Sequence, residues 1–202
     1  MYIARILYPV KVLGPGKRVG IWFDGCDHHC KGCSNPELWD TDEKYRTDIS
    51  QVMRLVHSIE EQHEIEGFTL TGGDPLRQPL ALKSLLPELV NISKDILLYT
   101  GFEYASIKHE YADILRYVAV LIDGKYIEDL NNEELLRGSS NQQIIVINEA
   151  YRAKYDTYLA THTSEIQNFT TPTGTISVGI HRPGYERDLD TIMKKKGLRK
   201  DE

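Results

Sequence analysis

The sequence predicts an α/β fold with a central parallel sheet, and three observations support this prediction. Short apolar runs of strand length alternate with amphipathic patterns of helical period along most of the chain. Glycine-rich or polar motifs directly follow four of these runs, as they do in β/α units. The chain has 202 residues, which is long enough for one well-cored domain and short for two. We therefore expect residues 1–202 to form a single domain.

The apolar periodicity predicts the elements in order. Strands are expected at residues 19–23, 67–71, 95–100, 117–122 and 142–147. A first helix is expected from about Asp48, because Val52, Val56 and Ile59 repeat on one helical face. Two further helices are expected around residues 80–90 and 104–116, so that helices and strands alternate.

The region after residue 147 is less regular. Asn148 is expected to cap a helix that runs through Tyr155. Residues 176–180 are predicted to form a strand, and residues 189–196 a basic helix that ends at Gly197. The stretch from 161 to 175 is rich in Thr, Ser and Asn and is predicted to be a mobile loop.

Composition and charge narrow the class of protein. The net charge of −6 provides no excess of cations for phosphates, so no nucleic-acid partner is expected. No apolar run reaches bilayer-spanning length, and the first residues show no secretory signal. We therefore expect a cytoplasmic protein with no membrane partner. In such a compartment three cysteines within eight residues indicate a metal site or a reactive thiol rather than a disulfide framework.

Polar motifs follow four of the predicted strands at the point where each strand ends. Cys26 follows the first strand, Gly72-Gly73-Asp74 the second, Thr100 the third and Asp123 the fourth. The carboxyl ends of parallel strands lie at one edge of a sheet, where α/β enzymes build their sites. The four motifs are therefore expected to converge on one site.

The cysteine loop has C-x3-C-x2-C spacing, formed by Cys26, Cys30 and Cys33. Thiolates suit iron–sulfur clusters or zinc. Three cysteines on a [4Fe–4S] cluster leave one iron without a protein ligand, and an open coordination position is where a substrate binds. A structural zinc site with His28 or His29 as the fourth ligand is the alternative that spacing alone leaves open.

These motifs together resemble the radical S-adenosylmethionine (SAM) superfamily, in which the cysteine loop follows the first strand and a Gly-Gly-acid motif the second. Within it, the chain is similar to the activating enzymes of anaerobic (class III) ribonucleotide reductases. The likeness spans roughly residues 5–147 and rests on residues 14–18, 26–33, 72–76, 123–126 and 137–142. Gly32 replaces an aromatic residue of many superfamily members, and the activators share this feature. The resemblance implies a partial (β/α) TIM-like barrel of the radical SAM type, with outer helices and a C-terminal extension over residues 148–202.

The resemblance also implies the cofactors and their ligands. A [4Fe–4S] cluster would be held by Cys26, Cys30 and Cys33, with SAM at its open iron. Gly72, Gly73 and Asp74 would contact the methionine amino group, and the turn at residues 14–16 would close an N-terminal hairpin near the active face. The remaining candidate contacts to SAM or the cluster are Gly32, Ser34, Asp123, Lys125, Ser139 and Asn141. The alternatives are plain turns at the Gly-Gly-Asp and Asp123 motifs and a loop cap at Ser139.

The implied activity is reductive cleavage of SAM to methionine and a 5′-deoxyadenosyl radical. That radical would take a hydrogen atom from a backbone glycine of anaerobic ribonucleotide reductase, the implied partner. Flavodoxin or ferredoxin is the implied reductant. The alternatives are activation of another glycyl-radical enzyme, a small-molecule radical SAM reaction and, outside catalysis, an electron-transfer or structural zinc protein.

Overall fold

A six-stranded mixed sheet lies at the centre of the protein. The computed structural model describes residues 1–171 and 174–195. The strands follow one another across the sheet in chain order, β1 to β6. β2 to β5 pair in parallel, whereas β1 and β6 pair antiparallel at the two edges. Their bounds are β1 Ile3–Val10, β2 Arg18–Phe23, β3 Gly67–Gly72, β4 Ile96–Tyr99, β5 Val120–Asp123 and β6 Gln143–Val146.

Four helices connect the parallel strands: α1 Ile49–Glu60, α2 Pro79–Ile92, α3 Tyr104–Ile107 and α4 Ala112–Leu115. They pack on one side of the sheet, because Ile21 and Leu70 share the largest apolar cluster with Val56 of α1 and Leu85 of α2. Successive strand side chains point to opposite faces. Trp22 accordingly belongs to a different cluster, on the other face.

The predicted strands and the first two helices are confirmed with small shifts at their ends. α1 begins at Ile49, and Asp48 caps it, because the Asp48 carboxylate accepts from the Gln51 backbone N–H in a capping box. The single helix predicted over residues 104–116 is instead two short helices, α3 and α4, separated by a turn. Ile107 and Ile114 are buried in the observed arrangement. Two residues seven apart would also share one face of a single helix, so the apolar spacing could not distinguish the two arrangements.

The turn at residues 14–16 closes the hairpin of β1 and β2. It lies at the amino end of β2, whereas the cysteine loop follows the carboxyl end of that strand, so the turn itself is not beside the cysteines. Leu13, directly before the turn, does line the cavity that the cysteines line. Glu66, just before β3, holds the turn in place. The Lys17 backbone N–H donates to the Glu66 carboxylate over 2.9 Å, and the Glu66 N–H donates to the Lys17 carbonyl over 3.0 Å.

The C-terminal part forms α5 Arg152–Thr161, a hairpin of β7 Gln167–Thr171 and β8 Gly174–Val178, and α6 Tyr185–Lys195. Asn148 caps the short 3-10 turn that leads into α5, as predicted. The loop predicted over residues 161–175 is wrong where β7 and the start of β8 form. Of the predicted basic helix, Lys196 and Gly197 lie outside the described residues. None of the described helices is long and apolar enough to cross a membrane.

A buried ionic network attaches α5 to the amino ends of the parallel strands. Arg18 is fully buried, and its guanidinium lies 3.1 Å from the Asp95 carboxylate and 2.8 Å from the Thr69 hydroxyl. The Tyr155 hydroxyl donates to the same carboxylate over 2.7 Å, and the Lys154 ammonium lies 2.6 Å from it. Each buried charge therefore has an ionic or hydrogen-bonded partner, as burial of a charge requires.

Candidate functional site

A cavity at the carboxyl ends of β2 to β5 brings the predicted motifs together. All three cysteines line it, with Ser34 from the same loop and residues 72–74 after β3. Thr100 and Gly101 follow β4 and Gly124 follows β5, and they line it as well. The convergence expected from parallel strands is therefore confirmed for these positions.

The cysteine sulfurs are half-buried and surrounded by backbone donors. Burial is the main cause that raises the pKa of each of the three thiols. Backbone N–H groups oppose this effect: that of Asn35 lies 3.4 Å from the Cys33 sulfur, and that of Tyr126 lowers the pKa of Cys30. Such donors stabilise negative charge on sulfur, which is how proteins tune iron–sulfur sites.

Asp74 is the centre of the hydrogen-bond network beside the cysteines. Its Oδ2 accepts from the Thr100 hydroxyl and the Gly101 backbone N–H, each over 2.9 Å. His28 Nε2 lies 2.7 Å from the same oxygen, and the Leu76 N–H donates to Oδ1 over 2.9 Å. Asp74 thus ties the cysteine loop to the ends of β3 and β4.

The two histidines of the loop have contacts other than the cysteine sulfurs. The His28 ring meets Asp74 and packs edge-on against Phe102, with centroids 4.7 Å apart. His29 is exposed and its ring lies 5.0 Å from that of Trp39. His28 thus contacts the Asp74 network, whereas His29 contacts Trp39.

The glycines after β3 are required by packing against the start of the cysteine loop. A Cβ on Gly73 would lie 2.3 Å from the Gly25 carbonyl oxygen, and one on Gly72 would lie 2.5 Å from that of Phe23. Gly72 also has a φ of +104°, which side chains rarely allow. The two glycines therefore bring the Asp74 segment close to the cysteine loop.

Asp123, Lys125 and Asn141 line an adjoining cavity that shares His28, Gly101 and Gly124 with the first. Asp123 is buried, and its two carboxylate oxygens accept from the backbone N–H groups of Tyr104 and Gln143. The Asn141 amide donates to the Lys125 carbonyl over 2.9 Å. Asp123 and Asn141 thus hold the loops around β5, and Lys125 is exposed beside them.

Ser139 and Gly32 have structural partners of their own. Ser139 is fully buried, and its hydroxyl accepts from the Ile127 backbone N–H over 3.1 Å. Gly32 has a φ of +73°, and a Cβ there would lie 3.0 Å from the Glu128 carboxylate. Both residues thus shape the loops next to the cysteines.

Sequence reasoning missed several residues that line the main cavity. Gln142 accepts from the Gly138 N–H over 2.8 Å and donates to the Gly124 carbonyl over 2.7 Å, so it joins two loops. Its signal was its place in the motif at residues 137–142. Trp39, Tyr99 and residues 177–180 also line the cavity, and no local motif marks them.

The fold and the cavity define an α/β protein with three cysteine thiols in one cavity at the carboxyl ends of the parallel strands. The family described as "4Fe-4S single cluster domain" matches residues 12–145. The chain is 38% identical over 148 residues to the anaerobic ribonucleoside-triphosphate reductase-activating protein of Enterobacteria phage T4, covering 68% of this chain and 90% of that protein. It is 34% identical to the protein of the same name from Haemophilus influenzae, and 30% to that from Escherichia coli K12. Each of those two alignments covers 145 residues and 68% of this chain. They cover 93% of the Haemophilus influenzae protein and 94% of the Escherichia coli protein. The chain belongs to this family of activating proteins.

Proposed function

We propose that this protein is a radical SAM activase that generates a glycyl radical on anaerobic ribonucleotide reductase. The observation that carries the proposal is the meeting of three cysteine thiols and the Gly-Gly-Asp motif in one cavity at the carboxyl edge of the parallel strands. Membership of the activating-protein family supports the identity of the partner. The core would then be the partial (β/α) barrel of the radical SAM type.

Cys26, Cys30 and Cys33 would hold the [4Fe–4S] cluster. By their chemistry three soft ligands beside backbone donors suit such a cluster and would leave one iron without a protein ligand. Among the described residues, no three such side chains are spaced to hold a metal ion in the protein without its cofactor. The cavity that the three thiols line is also lined by residues that follow the parallel strands, and these residues would surround a ligand bound to the cluster. SAM would occupy this cavity.

The motif after β3 would bind the amino group of SAM. An ammonium needs acceptors, and the backbone carbonyls around Gly72 and Gly73 can supply them. The Asp74 carboxylate would hold this segment in place through Thr100, because its own oxygens are already hydrogen-bonded within the protein. Lys125 would contribute the positive charge beside the SAM carboxylate.

When bound, the cluster and SAM would supply the chemistry, a one-electron cleavage of SAM to methionine and a 5′-deoxyadenosyl radical that would take a hydrogen atom from the reductase glycine. The protein's task is to orient SAM and to exclude water from the cavity. Trp39 and the segment 177–181 line the cavity and would serve the second purpose. A small flavodoxin or ferredoxin would deliver the electron.

The proposal is tested by anaerobic reconstitution followed by reaction with SAM, a reductant and the purified reductase. We expect about four irons and four sulfides per chain, release of 5′-deoxyadenosine and a glycyl-radical signal in electron paramagnetic resonance. Cys30→Ala should abolish all three. Ser58→Ala, an exposed change on α1, is the matched control and should leave them unchanged.

The alternatives give different outcomes in the same experiment. Bound zinc in place of iron would support a structural site, and iron without SAM cleavage would support an electron carrier. A radical on a different glycyl-radical enzyme, or turnover of a small molecule alone, would replace the partner that we propose. Undiminished 5′-deoxyadenosine release by Cys30→Ala would refute the cluster assignment itself.

A further inference from the structure

The Trp39 indole N–H is a buried donor in the wall of the cysteine cavity. Trp39 lines that cavity together with the three cysteines. Its nitrogen is shielded from solvent and makes no hydrogen bond of normal geometry within the described part of the chain. Burial of an N–H without an acceptor is costly, so a group that accepts from it would stabilise the protein.

The backbone fixes Trp39 beside the start of the cysteine loop. A short 3-10 turn at Pro36–Leu38 leads directly into Trp39. The Leu38 carbonyl accepts from the Gly25 N–H over 2.9 Å, and the Trp39 carbonyl accepts from the Cys26 N–H over 2.8 Å. The Leu38 side chain is fully buried in an apolar cluster. An anchored segment therefore sets the position of the indole.

The Cys33 sulfur is the acceptor that these surroundings favour. Burial raises the pKa of the Cys33 thiol, and hydrogen bonding by the Asn35 backbone and by the Trp39 side chain acts in the opposite direction. The Asn35 nitrogen lies 3.4 Å from the sulfur. A thiolate accepts hydrogen bonds more strongly than a thiol does, because it carries negative charge. A metal-bound, deprotonated Cys33 could therefore use the N–H of Trp39 as well as that of Asn35.

The His29 ring restricts the indole further. The two rings pack with their centroids 5.0 Å apart and their planes inclined by 34°. An indole packed in this way has less rotational freedom, so its N–H keeps its direction. The indole nitrogen is a donor only and does not titrate, and unlike a backbone donor it can be removed by substitution.

We propose that the Trp39 indole N–H donates a hydrogen bond to the Cys33 sulfur of the bound cluster and thereby raises the reduction potential of the cluster. The inference rests on the proposed function for the cluster assignment and adds a residue that tunes the cluster. One-electron reduction adds negative charge, so a donor to sulfur stabilises the reduced cluster more than the oxidised one. Trp39 acts through Cys33 and does not touch the reacting atoms, so it is a positioning residue.

Trp39→Phe tests the donor, because it removes the N–H and keeps an aromatic ring against His29. The potential is measured by anaerobic redox titration of the reconstituted protein, followed by electron paramagnetic resonance of the reduced cluster. We expect the equilibrium constant for one-electron reduction to fall about three- to tenfold, as for one hydrogen bond, which lowers the potential by about 28–59 mV. Water that entered beside the smaller ring would raise the potential instead, because it stabilises the more negative, reduced state.

Replacement of Trp39 with benzothienylalanine keeps the size of the ring and changes only the N–H, which becomes sulfur. The potential should fall by the same amount as in Trp39→Phe. After exchange into D2O, electron–nuclear double resonance should detect one coupled deuteron fewer than in the wild-type protein. Tyr117→Phe, which removes a donor that meets Arg116 on the surface, is the matched control and should leave the potential unchanged.

The outcomes separate this inference from the proposed function. An unchanged or raised potential in the benzothienylalanine protein would overturn the role of Trp39. If wild-type protein with a full cluster does not cleave SAM, the proposed function fails, and the shift in potential still decides the role of Trp39. Bound zinc in place of the cluster would overturn both.

Discussion

Asp74→Asn offers a sharp test of the network beside the cysteines. The substitution keeps the size of the side chain and replaces one acceptor oxygen with an NH2 donor. The two oxygens of Asp74 each accept from a backbone N–H, that of Leu76 at Oδ1 and that of Gly101 at Oδ2, both over 2.9 Å. Either orientation of the amide therefore places two donors against each other.

The magnitude follows from this geometry. Thr100 and His28 can adapt, because a hydroxyl can accept and a neutral imidazole can present its unprotonated nitrogen. One buried backbone N–H is left unpaired in every arrangement, which costs about 1–3 kcal/mol. For a chain of this size the melting temperature should fall by about 2–4 °C per kcal/mol.

Urea unfolding followed by tryptophan fluorescence measures this loss in the protein without added cofactor. Asp27→Asn is the control, because Asp27 lies in the same loop with a side chain that is 72% exposed and paired with Arg77. A surface pair contributes about 0–1 kcal/mol, so that variant should remain close to wild type. An Asp74→Asn midpoint equal to that of wild type would refute the reasoning, since it would mean that both N–H groups find other acceptors.

Two further predictions concern the buried ionic network and the glycine after β4. Burial opposes ionisation of Asp95, but Arg18 and its hydrogen bonds outweigh it and keep the pKa lowered. Asp95→Asn should cost about 3–5 kcal/mol at pH 7, as for one partner of a buried pair. The pKa of Asp95 is lower in the folded protein than in the unfolded chain, where it is about 3.9. The ionised carboxylate therefore stabilises the fold fully above about pH 3.9, and this stabilisation is lost as the pH falls through the folded pKa. Urea unfolding at pH 7 and pH 3 should therefore show a smaller gap between variant and wild type at pH 3, and a constant gap would contradict this. Gly101→Ala would place a Cβ 2.3 Å from the His28 ring, so overpacking should cost about 1–3 kcal/mol. In a His28→Ala background the cost should largely disappear, and a thermal-unfolding double-mutant cycle with no coupling would refute the contact.

The parallel core could be predicted from the sequence because its signal is local. β2 and β3 are buried runs with turn residues directly after them, and parallel strands in such units must end at one edge. The shared edge therefore predicts that Cys26, Asp74 and Thr100 lie close together. The sequence does not predict that β1 and β6 run antiparallel to their neighbours, because pairing at the two edges of the sheet depends on long-range partners.

The extension was the least predictable part for the same reason. β7 is held to β1 by Gln167, a contact across more than 150 residues of sequence. Its Thr and Asn residues are common in loops, so composition alone favoured a loop. The β-branched threonines also fit a half-exposed strand, and the cross-chain hydrogen bonds decide between the two.

The C-terminal extension also covers the face of the sheet that points away from α1 and α2. Trp22, Leu97 and Ile122 point away from α1 and α2, and they are buried because Tyr155 of α5 and Val178 of β8 cover that face. Removing residues 148–202 would expose this apolar surface to water at roughly 25 cal/mol per Å², in addition to opening the cavity. A truncated chain would therefore lose stability and cofactor binding together, whatever the role of the extension in binding.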